Sequence, residues 1–307
     1  MKRRDFIKKS VTAGIVSGAA FSFIKPESVF GSSFSAEQAY DLVAVKGGTP
    51  AAMFDKAIAS MGGIKKYVKP NSTVTVKPNI GWDARPEKGA NTNPELIGRI
   101  VEQCKQAGAK QVYVFDNTCN EWTRCYQNSG IEKAVKDAGG TMVTGNSESH
   151  YREVSIPQGK ILKSAKIHEL MLDTDLVINV PILKHHGGAL LSIAMKNLMG
   201  VVWDRKYWHA NNLNQCIADF TTYCKPSINV VDAYRVMKRN GPRGVSVSDV
   251  VLMESLLISE DMVAIDTAAA KLFGMEPEKV GYIKIANDMG VGRMDLTKLN
   301  INRIKMS

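Results

Sequence analysis

The chain has 307 residues, of which 44% are hydrophobic and 23% are charged, a composition typical of folded globular proteins and unlike that of collagen-like or disordered chains. Its formal net charge is +10, and residues 1–31 carry +4 of it. The remaining +6 is spread along the chain, without a run of lysines and arginines interleaved with aromatic residues, so the sequence argues against nucleic-acid binding.

The first 31 residues have the pattern of an export signal. Arg3 and Arg4, followed after a spacer by Phe6, resemble the twin-arginine (Tat) motif. The apolar stretch over residues 11–24 is shorter than the roughly 20 residues that a spanning helix needs. We therefore expect residues 1–31 to be a Tat signal peptide, the Tat translocon to be a transient partner, and the mature protein to be periplasmic or otherwise extracytoplasmic, with no stable membrane span.

Between residues 40 and 295, short strand patterns alternate with helical ones. Strands are predicted at residues 42–45, 73–77, 112–115, 176–183, 228–231 and 250–258. Helices are predicted at residues 50–61, 95–107, 129–138, 189–200, 211–223, 264–273 and 277–289. This alternation predicts a single α/β domain of three layers, with a mainly parallel sheet flanked by helices.

Two segments depart from the alternation, and one proline interrupts it. Residues 140–165 predict a small antiparallel insertion, and residues 296–307 are expected to form a C-terminal tail. Pro181 lies within the apolar run 176–183, where its missing N–H is expected to break the backbone ladder.

Four predicted strands are followed, at their carboxyl ends, by polar residues that can bind a ligand. These residues are Lys77-Pro78-Asn79, Asp116-Asn117, Lys184-His185-His186 and Asp232. Open α/β sheets bind ligands in the crevice beyond the carboxyl ends of their strands. The sequence therefore predicts one shared pocket at this rim.

Lys196 and Asn197 lie in a mostly apolar helical pattern, where few positions face solvent. A lysine in such surroundings either loses its charge or pairs with a carboxylate or phosphate group. Asp116, Asp232 and Asp266 are the candidate partners.

Three further features bear on the predicted pocket. At most one of His185 and His186 is expected to face it, as a metal ligand or proton carrier, because successive residues of an extended segment point in opposite directions. Residues 203–209 combine aromatic and charged side chains, and they predict either a lid that contacts the ligand or a partly buried structural loop. Arg243, in a tight turn, is offered to solvent or to an anion.

Two cysteine pairs stand apart from the spacings of zinc ribbons and ferredoxins. They are Cys119 with Cys125 and Cys216 with Cys224. Three interpretations remain open: ordinary thiols, a disulfide permitted by an oxidising compartment, and a metal or iron–sulfur site. The candidate metal ligands are Cys119, Cys125, Cys216 and His186.

Seven separated motifs are shared with a known family. They are Val74–Asn79, Thr92–Glu95, Asp116-Asn117, Asn179–His185, Met195–Gly200, Gly241–Gly244 and Val263–Asp266. Together they resemble the domain of unknown function (DUF) 362 family over about residues 42–290. The resemblance implies the fold and the positions of the site rather than a reaction. Many members carry a ferredoxin-like module, which implies an iron–sulfur cluster, but this chain has no CxxCxxCxxxC run.

Three functions are compatible with these residues. The first is an exported redox enzyme, linked to a metal ion or an iron–sulfur cluster, that acts on a small anionic substrate. The others are a non-catalytic periplasmic solute- or cofactor-binding protein and an assembly partner of an exported redox enzyme. The candidate catalytic residues are Lys184, His185, Lys196 and Asp232. The candidate ligand-binding residues are Lys77, Asn79, Asp116, Asn117, Asn197, Arg243 and Asp266.

Overall fold

Apolar and β-branched segments pair into a ten-stranded sheet in the computed structural model, which describes residues 40–307. The predicted signal peptide lies outside these residues. In chain order the strands of this sheet and of a small second sheet are β1 Leu42–Lys46, β2 Thr73–Pro78, β3 Gln111–Val114, β4 Thr141–Met142, β5 Tyr151–Ser155, β6 Ser164–His168, β7 Leu176–Val180, β8 Ile182–His186, β9 Leu190–Ser192, β10 Ile228–Met237, β11 Val250–Ser259 and β12 Ile301–Lys305.

The large sheet is mainly parallel, as the sequence predicted. Its order is β12-β1-β11-β10-β7-β2-β3-β4, and β8 pairs with both β10 and β9. The antiparallel pairs of the large sheet, within the described residues, are β1 with β11, β10 with β11, and β8 with β9. Strands β5 and β6 form a separate antiparallel sheet, which confirms the predicted insertion.

Residues 40–307 form ten α-helices, and five of these helices begin at a residue whose side chain accepts a hydrogen bond from the first turn. The ten helices are α1 Pro50–Ser60, α2 Pro94–Gln106, α3 Trp122–Asn128, α4 Ile131–Asp137, α5 Leu170–Asp173, α6 Ala194–Asn197, α7 Lys206–Ala210, α8 Leu213–Tyr223, α9 Met262–Phe273 and α10 Gly281–Asp288. The side chains of Thr49 and Asn93 accept hydrogen bonds from the first turns of α1 and α2, each of which starts with a proline. No helix in residues 40–307 is long and apolar enough to cross a membrane.

Helices cover both faces of the large sheet, which confirms the three-layer architecture. On one face α1 and α2 pack against alternate strand residues such as Val74 and Val76. On the other face α6, α8, α9 and α10 pack against residues such as Val231 and Leu257. Because side chains alternate along a strand, the residues between these apolar positions point to the opposite layer.

Pro181 ends the ladder of β7, and the chain continues directly as β8. The predicted helix over residues 189–200 is wrong in its first half, where residues 190–192 form β9 instead of a helical turn. The short apolar run there fits either a strand or a helix, and its antiparallel pairing with β8 decides in favour of the strand. Only the second half forms α6.

Two strands extend or replace predicted features. Strand β10 runs to Met237, so Asp232 lies inside the strand and not at its end. Residues 296–307 are not a tail, because β12 pairs in parallel with β1 over five residues and forms the edge of the sheet. The strand is only partly buried, so hydrophobic and polar residues do not alternate clearly along it, and β12 leaves little sign in the sequence.

Candidate functional site

A row of polar residues crosses the buried face of the sheet beneath α6. Lys77 of β2 stands beside Asn179 of β7, and Asn179 stands beside Asn229 of β10. All three are fully buried. Since their neighbours in each strand face the α1 and α2 layer, register alone directs these three polar side chains towards α6.

Asn197, the last residue of α6, forms hydrogen bonds with the polar residues of this row. Its amide nitrogen donates to Asn179 Oδ1 at 2.8 Å and to the Lys77 carbonyl at 3.2 Å. Its amide oxygen accepts from Asn79 Nδ2 at 3.0 Å and from Lys77 Nζ at 3.2 Å. Asn179 in turn donates to Asn229 Oδ1 at 2.9 Å. The hydrogen-bonding capacity of Asn197 is therefore used within the protein, and its role is to hold the site together.

Lys77 forms a buried ion pair with Asp116. Lys77 Nζ lies 2.9 Å from Asp116 Oδ1, and the two side chains are 1% and 3% exposed. The other carboxylate oxygen of Asp116 accepts from the backbone N–H of Ile80 at 2.7 Å. Burial lowers the pKa of Lys77 from its ordinary value, and Asp116 opposes that shift. The Asp116 carboxylate thus neutralises the charge of Lys77 and is not available to a second lysine.

Gly200 lies against this ion pair and leaves no room for a side chain. A Cβ at position 200 would lie 1.9 Å from Asp116 Oδ1 and 2.6 Å from Lys77 Nζ. The carbonyl of Gly200 also accepts from the backbone N–H of Asn117 at 2.9 Å. The glycine that follows α6 is therefore a packing requirement of the ion pair.

Lys184 enters the site from β8. Its Nζ donates to Asn79 Oδ1 at 3.0 Å and to the carbonyl of Ala90. No carboxylate in the described part of the chain forms an ion pair with it. Burial lowers the pKa of Lys184 to about 7, and the nearby Lys196 and Lys77 charges add to that shift, whereas Cys119 and Asp116 oppose it.

Lys196 enters from α6, whose amino end is fixed by Asp266. The two carboxylate oxygens of Asp266 accept from Ala194 N at 2.7 Å and from Met195 N at 3.0 Å. Lys196 is 8% exposed, and within residues 40–307 the Met199 sulfur, at 3.1 Å, is the one hydrogen-bond partner of its Nζ. Burial lowers the pKa of Lys196 to about 8; Cys119 opposes that shift, and the Arg205 and Lys77 charges add to it.

These groups surround a cavity of about 390 Å³ at the carboxyl ends of β2 and β3, a volume suited to a small ligand. It is lined by Lys77, Asn79, Gly81, Trp82, Asp116, Cys119, Lys184, His186, Ser192, Lys196, Asn197, Met199, Gly200, Arg205, Lys206, His209 and Pro242. Five of these residues are lysines or arginines and one is an aspartate, so the described lining is cationic.

The structure brings together the predicted residues Lys77, Asn79, Asp116, Lys184, Lys196 and Asn197, but three candidates lie elsewhere. His185 points to the other side of β8, where its Nδ1 accepts from Gly241 N at 3.1 Å. Asp232 joins β10 to α2 by accepting from Asn93 N at 2.7 Å. Asp266 caps α6 from below, so none of the three carboxylates proposed for Lys196 pairs with it.

Asn117 and Arg243 also lie outside this cavity. The side-chain amide of Asn117 donates to the carbonyl of Val202 at 2.9 Å and lines a neighbouring cleft. Arg243 lies in a separate surface cleft beside Asp83 and Arg85. The turn that carries Arg243 therefore does not present it to the lysines.

The predicted cysteine ligands do not converge. Cys125 is packed in the core beside α1 and α2, and Cys216 is packed in the core on the opposite face of the sheet. Cys119 alone lines the cavity, and all five cysteines, each within residues 40–307, are free thiols, so the disulfide interpretation is wrong. Among these residues no three His, Cys, Asp or Glu side chains are placed to hold a metal ion, so the ligands predicted for a metal ion or an iron–sulfur cluster do not fit it.

His186 lines the cavity but is unsuited to the metal-ligand role. Its Nδ1 accepts from Gly188 N at 3.0 Å and from Ala189 N at 3.1 Å. Burial lowers the pKa of His186 to about 3, with repulsion from Lys196 and Lys184 as further causes. A neutral ring whose Nδ1 accepts carries its proton on Nε2, which leaves no free lone pair for a metal.

Sequence reasoning missed several residues that build the site. Thr92 bridges β2 and β7, because its hydroxyl accepts from Asn79 N and donates to the Val180 carbonyl, both at 2.8 Å. Arg205 and Lys206 line the cavity from the 203–209 segment, and Arg205 also donates to the Asn117 carbonyl at 2.7 Å. The mixed composition of this segment predicts either a lid or a structural loop, without pointing to these two residues.

A model of one protein family matches residues 74–271, which include the Lys77, Asp116, Lys184 and Lys196 positions. The chain belongs to the DUF362 family. That family is described as a domain of unknown function. A relative within reach of sequence comparison is the thylakoid-associated protein sll1697 of Synechocystis sp., which is 23% identical over 247 residues that cover 75% of this chain and 72% of the relative.

Two solved structures resemble this DUF362 protein distantly. One is a protein of Thermotoga maritima, with 10% identity and a TM-score of 0.44 over 78% of this chain. The other is the lactate racemase apoprotein of Thermoanaerobacterium thermosaccharolyticum, with 11% identity and a TM-score of 0.42 over 82% of this chain. The matched regions cover 60% and 57% of those two proteins.

The substitution Gly200→Ala tests the packing of the ion pair. We expect it to lower the free energy of unfolding by about 2 kcal/mol, because the added Cβ overlaps Asp116 and Lys77. Urea unfolding followed by circular dichroism measures this change. Gly187→Ala is the matched control, since the nearest atom to its added Cβ is 4.0 Å away. Equal effects of the two substitutions would contradict the packing argument.

Proposed function

We propose that this DUF362 protein is an exported enzyme that binds a small anionic substrate in the lysine-lined cavity. The proposal rests on the surroundings of Lys196. This side chain is more than nine-tenths buried, and its hydrogen-bond partner within the described chain is the thioether sulfur of Met199. A buried ammonium group without a counter-charge is costly, and a bound anion removes that cost.

The charge balance of the cavity supports the same conclusion. Asp116 is the carboxylate of the described lining, and it is already paired with Lys77 at 2.9 Å. Lys184 and Lys196 therefore face the cavity without a carboxylate partner in the described residues. An anionic group of one or two charges would complete the site, and the hydrogen bonds it accepts from ammonium groups are stronger than those between neutral groups.

The proposal assigns proton transfer to Lys196. Its pKa of about 8 leaves both the charged and the neutral amine populated near physiological pH. A group with such a pKa can both donate and accept a proton, which is the requirement for general acid–base catalysis. No step passes through a metal ion or an iron–sulfur cluster, because the described residues supply no ligand set for either.

Lys196→Met tests the binding site. We expect succinate, used as a probe anion, to lose its affinity by at least about tenfold, since a charge-assisted hydrogen bond contributes about 1.5–3 kcal/mol. The substitution removes a buried charge, so we expect the thermal stability of the unliganded protein to stay the same or rise. Isothermal titration calorimetry and thermal unfolding measure the two effects. Lys225→Met, at an exposed position outside the cavity, is the control, and undiminished binding by Lys196→Met would refute the proposal.

Binding should take up a proton at alkaline pH. An anion stabilises the charged amine, so it raises the lowered pKa of Lys196 again; at pH 8 binding therefore draws a proton from solution, and at pH 6 it does not. Lys184, whose pKa is about 7, adds to the uptake, so affinity for succinate should fall as the pH rises from about 7 through about 8. Calorimetry in two buffers of different ionisation enthalpy measures the uptake. Lys196→Arg, which stays charged, should bind succinate with a smaller uptake, and an unchanged uptake would contradict this assignment.

Export is tested with the N-terminal segment itself. We expect residues 1–39 to carry a folded fluorescent reporter to the periplasm of a bacterium with a Tat system. Replacing Arg3 and Arg4 together with lysine should leave the reporter in the cytoplasm, whereas replacing Lys8 and Lys9 with arginine should not. Cell fractionation measures the distribution. Export that survives loss of both arginines would refute the Tat assignment.

A further inference from the structure

His186 and His209 are the two imidazole rings in the described lining of the cationic cavity, and His186 is the more buried of the two. It follows Lys184 by two residues in β8, so both side chains point to the same face of the strand. Both line the cavity together with Lys196. The charged and titratable neighbours that act on the ring are Lys184, Lys196, His185 and His209. All of them oppose a positive charge on the imidazole, and no described carboxylate pairs with it.

The turn between β8 and β9 fixes which nitrogen of the ring carries the proton. The backbone N–H groups of Gly188 and Ala189 both point at Nδ1, at 3.0 and 3.1 Å. Nδ1 must therefore be the acceptor, and the proton of the neutral ring resides on Nε2. The backbone N–H of Gly188 is thus hydrogen-bonded to His186 and is not available to bind an anion.

Nε2 is left as a donor without a partner. No residue in the described part of the chain accepts a hydrogen bond from it, and it is not among the described polar atoms that are fully buried without a partner. Since His186 lines the cavity and its Nδ1 is turned to the β8–β9 turn, we infer that the remaining Nε2 edge of the ring faces the cavity. The His209 ring, stacked at 6.3 Å between centroids, stands beside the His186 ring at the exposed rim.

We propose that His186 donates a hydrogen bond from Nε2 to an uncharged oxygen of the substrate. The substrate is then an organic anion that carries a hydroxyl or carbonyl oxygen beside its anionic group. The lysines bind the charge and His186 recognises the neutral oxygen, so His186 determines specificity rather than accepting protons or binding metal. This inference rests on the proposed function, because it assumes that the anion occupies this cavity.

The tautomer is tested in the unsubstituted protein. Histidine labelled with ¹⁵N distinguishes a protonated ring nitrogen from an unprotonated one in long-range proton–nitrogen correlation spectra. We expect His186 to show an unprotonated Nδ1 and a protonated Nε2 between pH 6 and pH 8. His186→Gln identifies the signal by its disappearance. A protonated Nδ1 would overturn the inference, whatever the outcome with other variants.

Specificity is tested with malate and succinate, two dicarboxylates that differ by one hydroxyl group. The wild-type protein should bind malate about fivefold more tightly, the size expected of one hydrogen bond between neutral groups. His186→Leu should abolish this preference, so that the ratio of the malate and succinate affinities falls to about one. His186→Gln, which keeps a donor, should retain part of the preference.

The outcomes separate the two proposals. If the wild-type protein binds neither dicarboxylate, the anion site of the proposed function is refuted. If it binds both, and His186→Leu leaves their ratio unchanged, only the role of His186 is refuted. Because the tautomer measurement needs no leucine variant, the inference stays testable even if His186→Leu fails to fold.

Discussion

The structure depends on how Lys77 is compensated at the centre of the sheet. A buried ammonium group costs free energy unless a counter-charge and hydrogen bonds replace its water. Asp116 supplies the counter-charge and Asn197 one of the hydrogen bonds. Meeting both requirements fixes the end of β3 next to the end of β2, places α6 directly above the sheet, and forbids a side chain at Gly200. One buried charge therefore ties together β2, β3 and α6, three of the elements that border the cavity.

This compensation also explains the cationic character of the cavity. The carboxylate of Asp116 is spent on Lys77, which stands deepest, so the two more peripheral lysines face the cavity without one. In this site the innermost lysine is neutralised and the other two keep their charge available. Such a site selects negatively charged ligands through its electrostatic potential, whatever their shape. Neutral His186 adds a directional donor to this field. The combination suits a substrate with one charged and one uncharged polar end.

The sequence was sufficient for the α/β architecture and for a cavity lined by polar residues at the strand ends, because hydrophobic alternation and polar strand termini are local signals. It was insufficient for side-chain direction. Pro181 separates β7 from β8, and the register after this break turns His186 towards the lysines and His185 away from them. The capping of α6 by Asp266 joins positions 72 residues apart, which no local pattern reveals. Cys125 and Cys216 were suggestive only by spacing, and the sheet separates them into different layers.

Helix α6 has four residues, too few to be stable as an isolated helix. It forms because its first two backbone N–H groups donate to Asp266, and because its last residue, Asn197, is hydrogen-bonded to the sheet. The ammonium of Lys196 is therefore aimed by a carboxylate that never reaches the cavity. A survey of alanine variants scored by ligand affinity would rank Asp266 among the contact residues, although its influence travels entirely through the backbone. Under the proposed function, a residue can therefore control the affinity without contacting the ligand.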